Sequence, residues 1–221
     1  MLFDLRSRGR RRTVQAVYLG LALLIGGGLV LFGVGTGSGN GGLLNAFGGG
    51  GSGSNGQSSA LNAQEKAALK QTRKDPSNPA GWLALETARY QNASSVGFNQ
   101  STNTYTDAGK KELANAGQAW QKYRALVKTP SNEAAILAAN AYATLGQYAN
   151  SASAWEDATQ ADASSVKSFE CLAMTSYAAQ QTRKGDLAAA KAATMVPKSS
   201  RKALTAEINL AKTQPSVAQG C

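Results

Sequence analysis

The five prolines of this chain, Pro76, Pro79, Pro130, Pro197 and Pro215, stand only between segments of a different character. Proline lacks an N–H and clashes with the preceding turn, so continuous helices are permitted only in the intervals between such residues. Within those intervals, from Ala60 onward, alanine, leucine and charged residues recur at helical spacing. No run shows the alternating β-branched pattern of a strand. The fold class is therefore all-α, with helices expected over 61–74, 80–93, 107–129, 133–145, 148–161, 166–181, 186–195 and 199–213.

The turns repeat. RKDPSNPAGW and VKTPSNEAAI share a P-S-N after a Lys-containing helix end, and QADASSVKSF carries the same turn without its proline. From Pro130 to the matching Ala163 is 33 residues, the length of one helix–turn–helix unit. From Pro76 to Pro130 is 54, one unit plus an insertion. Periods of this size mark helix pairs stacked into a solenoid.

The first sixty residues are of another kind. MLFDLRSRGRRR sets Arg6, Arg8, Arg10, Arg11 and Arg12 against the single Asp4, and Val14 to Val34 then contains no charge. Twenty-one helical residues would span roughly 31 Å, the thickness of a bilayer's hydrocarbon core. The arginines lie on one flank only, which predicts a cytoplasmic N-terminus and an extracytoplasmic remainder. The apolar run exceeds a normal signal-peptide core and no A-x-A site follows it, so an uncleaved anchor is the expectation. Ala16/Gly20 and Ala22/Gly26 give the small-xxx-small spacing that lets membrane helices approach, a basis for homodimerisation. Residues 35–59 hold eleven glycines and no charge. They read as a flexible tether reaching about 25–30 Å. The organisation is thus a basic segment at 1–13, a transmembrane helix at 14–34, a Gly/Ser-rich linker at 35–59, a helical domain at 60–214 and a tail at 215–221.

Composition narrows the function. The chain has no histidine, two cysteines and a net charge of +10. Without histidine the commonest general base, the commonest zinc ligand and the Ser/His and Cys/His pairs are all missing. No cofactor or metal site is expected. Cys171 is either a small buried apolar residue or, outside the cytosol, the partner of Cys221. The charge is dispersed: +4 over residues 1–34, and 18 basic against 12 acidic residues over 60–221, with an acidic stretch at 133–170. A nucleic-acid footprint would concentrate its charge in one stripe, so no nucleic-acid partner is expected.

The stretch Ala138–Ala158 resembles the tetratricopeptide repeat (TPR). Tyr142 belongs to a first helix, Gly146 to the tight turn, and Tyr148, Trp155 and Ala158 to the second helix, with Tyr148 expected to pack toward Tyr142. Trp82 and Leu85 hold the corresponding first-helix positions of the preceding unit, whose turn is replaced by a polar insertion at 92–107. A third unit begins at Phe169, Leu172 and Tyr177 with its turn around Gly185, and the last helix looks like a cap. The resemblance implies about three degenerate repeats whose first helices line a groove for protein or peptide partners. It places Thr87, Tyr90, Asn140, Thr144, Lys167, Met174 and Tyr177 on that groove, and implies a scaffold or adaptor without catalysis, held at the membrane by residues 14–34. The architecture is also similar to the ancillary TPR subunit of the bacterial Sec translocon, which implies an alternative role as a translocon-associated periplasmic chaperone. A remoter alternative is an envelope enzyme using the hydroxyl-rich 92–107 loop with Asp107 and Glu112.

Overall fold

The computed structural model describes residues 54–221. Their long elements are all helical: α1 (Ser54–Lys74), α2 (Pro79–Val96), α3 (Asp107–Leu126), α4 (Asn132–Thr144), α5 (Tyr148–Ala161), α6 (Val166–Ala178), α7 (Thr182–Met195) and α8 (Lys198–Thr213). A 3-10 helix, Pro215–Gly220, follows α8. A short antiparallel hairpin, β1 (Phe98–Asn99) and β2 (Thr104–Tyr105), lies between α2 and α3. Residues 61–221 form one compact unit. Among the described residues no helix is long and apolar enough to cross a membrane. The anchor expected at 14–34 and the basic segment at 1–13 lie outside the described residues.

Local chemistry sets most of the boundaries. Asn78, Thr106, Ser131 and Ser165 accept hydrogen bonds from backbone N–H groups in the first turns of α2, α3, α4 and α6. Each bond satisfies a donor that helix geometry leaves unpaired. Asp75 and Asp162 fold the preceding turns in the same way, each accepting from the backbone and hydroxyl of the serine two residues on. The Ser164 hydroxyl and N–H hold the Asp162 carboxyl below its ordinary range. At the end of α3 the chain turns extended at Val127, earlier than the expected 129, as the approach of Pro130 favours.

The repeat is regular in the structure. Every boundary of the α4–α5 pair recurs 34 residues later in α6–α7: 132 to 166, 144 to 178, 148 to 182, and 161 to 195. The turns match bond for bond. Gly146 N–H donates to Ala143 O and Gln147 N–H to Tyr142 O; Gln180 N–H donates to Tyr177 O and Gln181 N–H to Ser176 O. This paired pattern is a Schellman turn, and it requires a left-handed residue. Gly146 supplies it at φ 70°, but in the second copy Gln180 takes φ 61°. The turn expected around Gly185 is therefore displaced to 179–181, and α7 starts at Thr182 instead of 186. The PSN strings are also one residue out of register as caps, since Asn78 caps α2 whereas Ser131 caps α4. The 33-residue spacing expected from Pro130 to Ala163 becomes 34, the distance from the Ser131 cap to the Ser165 cap.

Two further differences concern polar segments. The chain is helical from Ser54, within the stretch read as tether; no glycine or proline intervenes between Gln57 and Asp75. The polar run after Gln91 extends α2 instead of opening a loop. Ser94 and Ser95 donate back to the carbonyls of Tyr90 and Gln91, and buried Asn92 donates to Glu65. Glu65 also takes a hydrogen bond from Arg89, which in turn donates to Asn115 O, so α1, α2 and α3 are tied together.

Small residues dominate the core, and large ones fill what they leave. Trp155 and Ala158 are buried on α5, with Ala138 and Ala139 of α4 and Leu172 of α6 in the same cluster. Trp82 packs from the edge while its indole donates to Pro76 O, and Leu85 is buried against Ala68 and Ala119. Tyr142 lies over Gly117 of α3, its hydroxyl donating to Gly117 O at 2.8 Å. Tyr148 is half-buried, and its hydroxyl accepts from Gln219.

Candidate partner-binding face

Among the first helices, α2 packs against α4, and α6 packs against the final helix α8. The second helices are linked chiefly through side chains. Arg124 of α3 forks onto Asp157 of α5 through two nitrogens. Lys184 of α7 reaches Glu156 of α5. The buried Asp157 holds the Arg124 guanidinium further toward its charged form, mainly through that hydrogen bond.

Residues expected on the groove separate into two groups. On α2 and α4, Thr87, Tyr90, Asn140 and Thr144 are half-buried. Thr87 spends its hydroxyl on Leu83 O. Tyr90 and Asn140 meet across the two helices. Burial, then the neighbouring Tyr105 hydroxyl, pushes the Tyr90 phenol up, and the Asn140 side chain pulls it down. Asn140 Oδ1 is buried without a hydrogen-bond partner among the described residues. The hairpin adds two groups that sequence reading did not place here. Tyr105 packs edge-on to Phe98 at 5.0 Å between ring centroids, and its hydroxyl lies 3.3 Å from Ser94 Oγ. Only the hydroxyl chemistry of the 92–107 segment was visible in the sequence, because an insertion has no periodicity to assign a face.

On α6 the outcome differs. Lys167 is exposed and pairs with Glu170 at 3.0 Å. Met174 and Tyr177 are buried, which corrects their assignment to an open surface: α8 and the 3-10 helix pack over α6 and cover them. Tyr177 donates to Asp186 at 2.7 Å, and Lys212 of α8 stands 4.2 Å from its ring centroid. Desolvation and the Asp186 carboxylate both push this phenol far up.

One buried residue escaped the sequence reading entirely. Glu86 of α2 is fully buried, and neither carboxyl oxygen has a hydrogen-bond partner among the described residues. Desolvation raises its pKa to about 9. Its charge would also raise the Tyr142 phenol, whose shift comes first from burial. The signal was present, since Trp82, Leu85, Glu86 and Arg89 fall at i, i+3, i+4 and i+7 on one helical face.

A separate cleft of about 570 Å³ opens between α5, α6 and α7, floored by Phe169, Leu172 and Ala188 and rimmed by Arg183 and Lys184. None of the expected groove residues lines it. No group of three or more Cys, Asp or Glu side chains that would hold a metal occurs among the described residues. Asp107 is exposed in the first turn of α3, where a carboxylate complements the helix dipole, and Glu112 is half-buried one turn on. What the α2–α4 face offers is hydrogen bonding from an amide and phenols beside apolar surface. Comparison of the chain with protein-family models and with curated proteins finds no match.

Proposed function

We propose that this chain is a membrane-anchored, extracytoplasmic adaptor of TPR type that holds a peptide or helix of a partner protein against the first helices of its repeats. The observation that carries this reading is the pair of helix–turn–helix units repeating at 34 residues through the same Schellman turn. Thirty-four residues is the TPR unit length. Phe169, Leu172 and Ala173 follow that family's first-helix spacing, as do Ala135, Ala138, Ala139 and Tyr142. Stacked helix pairs present an extended inner surface, and binding there uses shape and hydrogen bonds without reaction chemistry. The hydroxyls of Tyr90 and Tyr105, beside the half-buried Asn140, would meet backbone groups of the partner. The extracytoplasmic address is supported by the one-sided arginines before residues 14–34 and by the Cys171–Cys221 disulfide, a bond that persists outside reducing compartments.

A photo-cross-linking amino acid placed at Asn140 or Thr144 of the full chain in membranes should yield discrete adducts. The same group at Ala190, exposed on α7, should yield none. Equal adducts from both faces, or none from α4, would reject the groove. The captured species also separates the roles: translocon subunits or nascent secretory chains mark the chaperone, and other envelope proteins mark a scaffold.

A further inference from the structure

The groove reading leaves one half of the inner surface unaccounted for, and the C-terminal segment accounts for it. The 3-10 helix Pro215–Gly220 packs on α6 and α8 and reaches α4. Ala218 is fully buried, and Val217 and Cys221 pack against the central core cluster. Cys221 is bonded to Cys171, and its sulfur lies 3.9 Å from Met174 Sδ. Cys171 and Met174 are i and i+3 on α6, and both are buried. The equivalent residues one repeat earlier, Leu137 and Asn140 of α4, are only half-buried. The same helical positions are thus half-exposed in one unit and buried in the next, where this segment and α8 form the cover.

We propose that residues 214–221 are a disulfide-held plug on the partner-binding surface, released by a dithiol reductant to admit a partner segment of similar chemistry. The plug itself defines that chemistry: QPSVAQGC has small apolar side chains and no charged one. The inference rests on the groove reading for the identity of the surface. Access decides which sulfur is attacked. Cys171 is fully buried and Cys221 half-buried, so a reductant thiolate attacks Cys221 Sγ. The Cys171–Cys221 bond breaks as a mixed disulfide forms at Cys221, and Cys171 leaves with the electron pair and takes up a proton. The reductant's second thiolate then displaces Cys221, which is protonated in turn. The chain ends with two thiols and the reductant with one disulfide.

Hydrogen exchange and a trapping assay on the full chain in detergent test this. Dithiothreitol, or Cys221→Ser without reductant, should abolish protection of residues 214–221 and leave α2–α5 protected. In Cys221→Ser, peroxide should oxidise Met174, which the oxidised wild type shields. A synthetic QPSVAQGC peptide, its Cys activated as the disulfide with thionitrobenzoate, should form a mixed disulfide with the freed Cys171, releasing thionitrobenzoate, several-fold faster than a scrambled peptide ending in the same activated Cys. Unchanged protection of 214–221 would mean that packing alone holds the segment, and loss of protection across α2–α8 would mean that the bond is a structural staple. Equal trapping of both peptides would reject the proposed partner chemistry. Any of these three results would leave cross-linking at Asn140 unaffected, so the plug and the groove fail separately.

Discussion

Glu86 shows how one side chain writes a pH dependence into the fold. Its carboxyl is buried without a partner and keeps its proton to about pH 9, against 4.5 for the ordinary group. The unfolded chain releases that proton as pH rises through 4.5, while the native state retains it. Between 4.5 and about 9 the native state therefore binds more protons, and stability falls as pH rises. One fully shifted carboxyl is worth about 1.4 kcal/mol per pH unit in that window. Its contribution is complete below 4.5. Glu86→Gln removes the ionisation and keeps the shape. Urea unfolding should find the variant within about 1 kcal/mol of wild type at pH 5 and about 3 kcal/mol more stable at pH 7. Parallel profiles for the two proteins would show that Glu86 ionises without penalty. On the proposed TPR reading, the glutamate occupies the position where the W-x-x-L-G spacing has glycine, between Leu85 and Arg89. A small residue there lets helices approach. A protonated carboxyl fills the space instead.

At the scale of the helix pair, close approach is arranged by glycine beneath tyrosine. A Cβ at Gly117 would stand 2.7 Å from Tyr142 Cε1, and Gly185 similarly underlies the Tyr177 ring. Alanine favours a helix over glycine by about 1 kcal/mol, so on propensity alone Gly117→Ala would stabilise. Here the methyl must displace a ring whose hydroxyl is held twice, donating to Gly117 O and accepting from Gln121. Overpacking of this kind costs roughly 1–3 kcal/mol. Chemical denaturation should therefore find Gly117→Ala destabilised by about 1 kcal/mol, and a gain in stability would show that the ring moves freely. The same pairs show what the sequence could and could not reveal. The eight α-helices of the described residues were legible from proline placement and periodicity. The second turn was not, since Gln180 adopts the left-handed conformation that glycine normally marks, and Gly185 serves packing instead. Asn140 and Tyr90 were reachable through the spacing of the repeat. Tyr105 was not, because only tertiary packing of the hairpin brings it to them. The burial of Met174 and Tyr177 depended on where the C-terminal segment lies, and no local pattern encodes that.

For the whole molecule, two unrelated features support the proposed extracytoplasmic address. One is the charge asymmetry around residues 14–34, which would act during insertion of the proposed anchor. The other is the Cys171–Cys221 bond, which closes a loop across α6, α7, α8 and the 3-10 helix at a sequence separation of 50. Such a closure restricts the unfolded chain by about 4 kcal/mol on the loop-entropy account. That contribution exists only where the bond can form. The two features make a joint prediction. In intact cells the full chain should remain with membranes after carbonate washing, and alkylation should leave both cysteines unlabelled until a reductant is added. Deleting residues 1–34 should keep the domain in the cytosol, leave both thiols alkylatable, and lower its unfolding midpoint in denaturant until it is oxidised in vitro. If the full chain is membrane-bound but already labelled, the domain faces the reducing side, and both the address and the oxidised plug are lost. If the truncated chain is oxidised as readily as the full one, the bond carries no information about compartment. The address would then rest on the arginines alone.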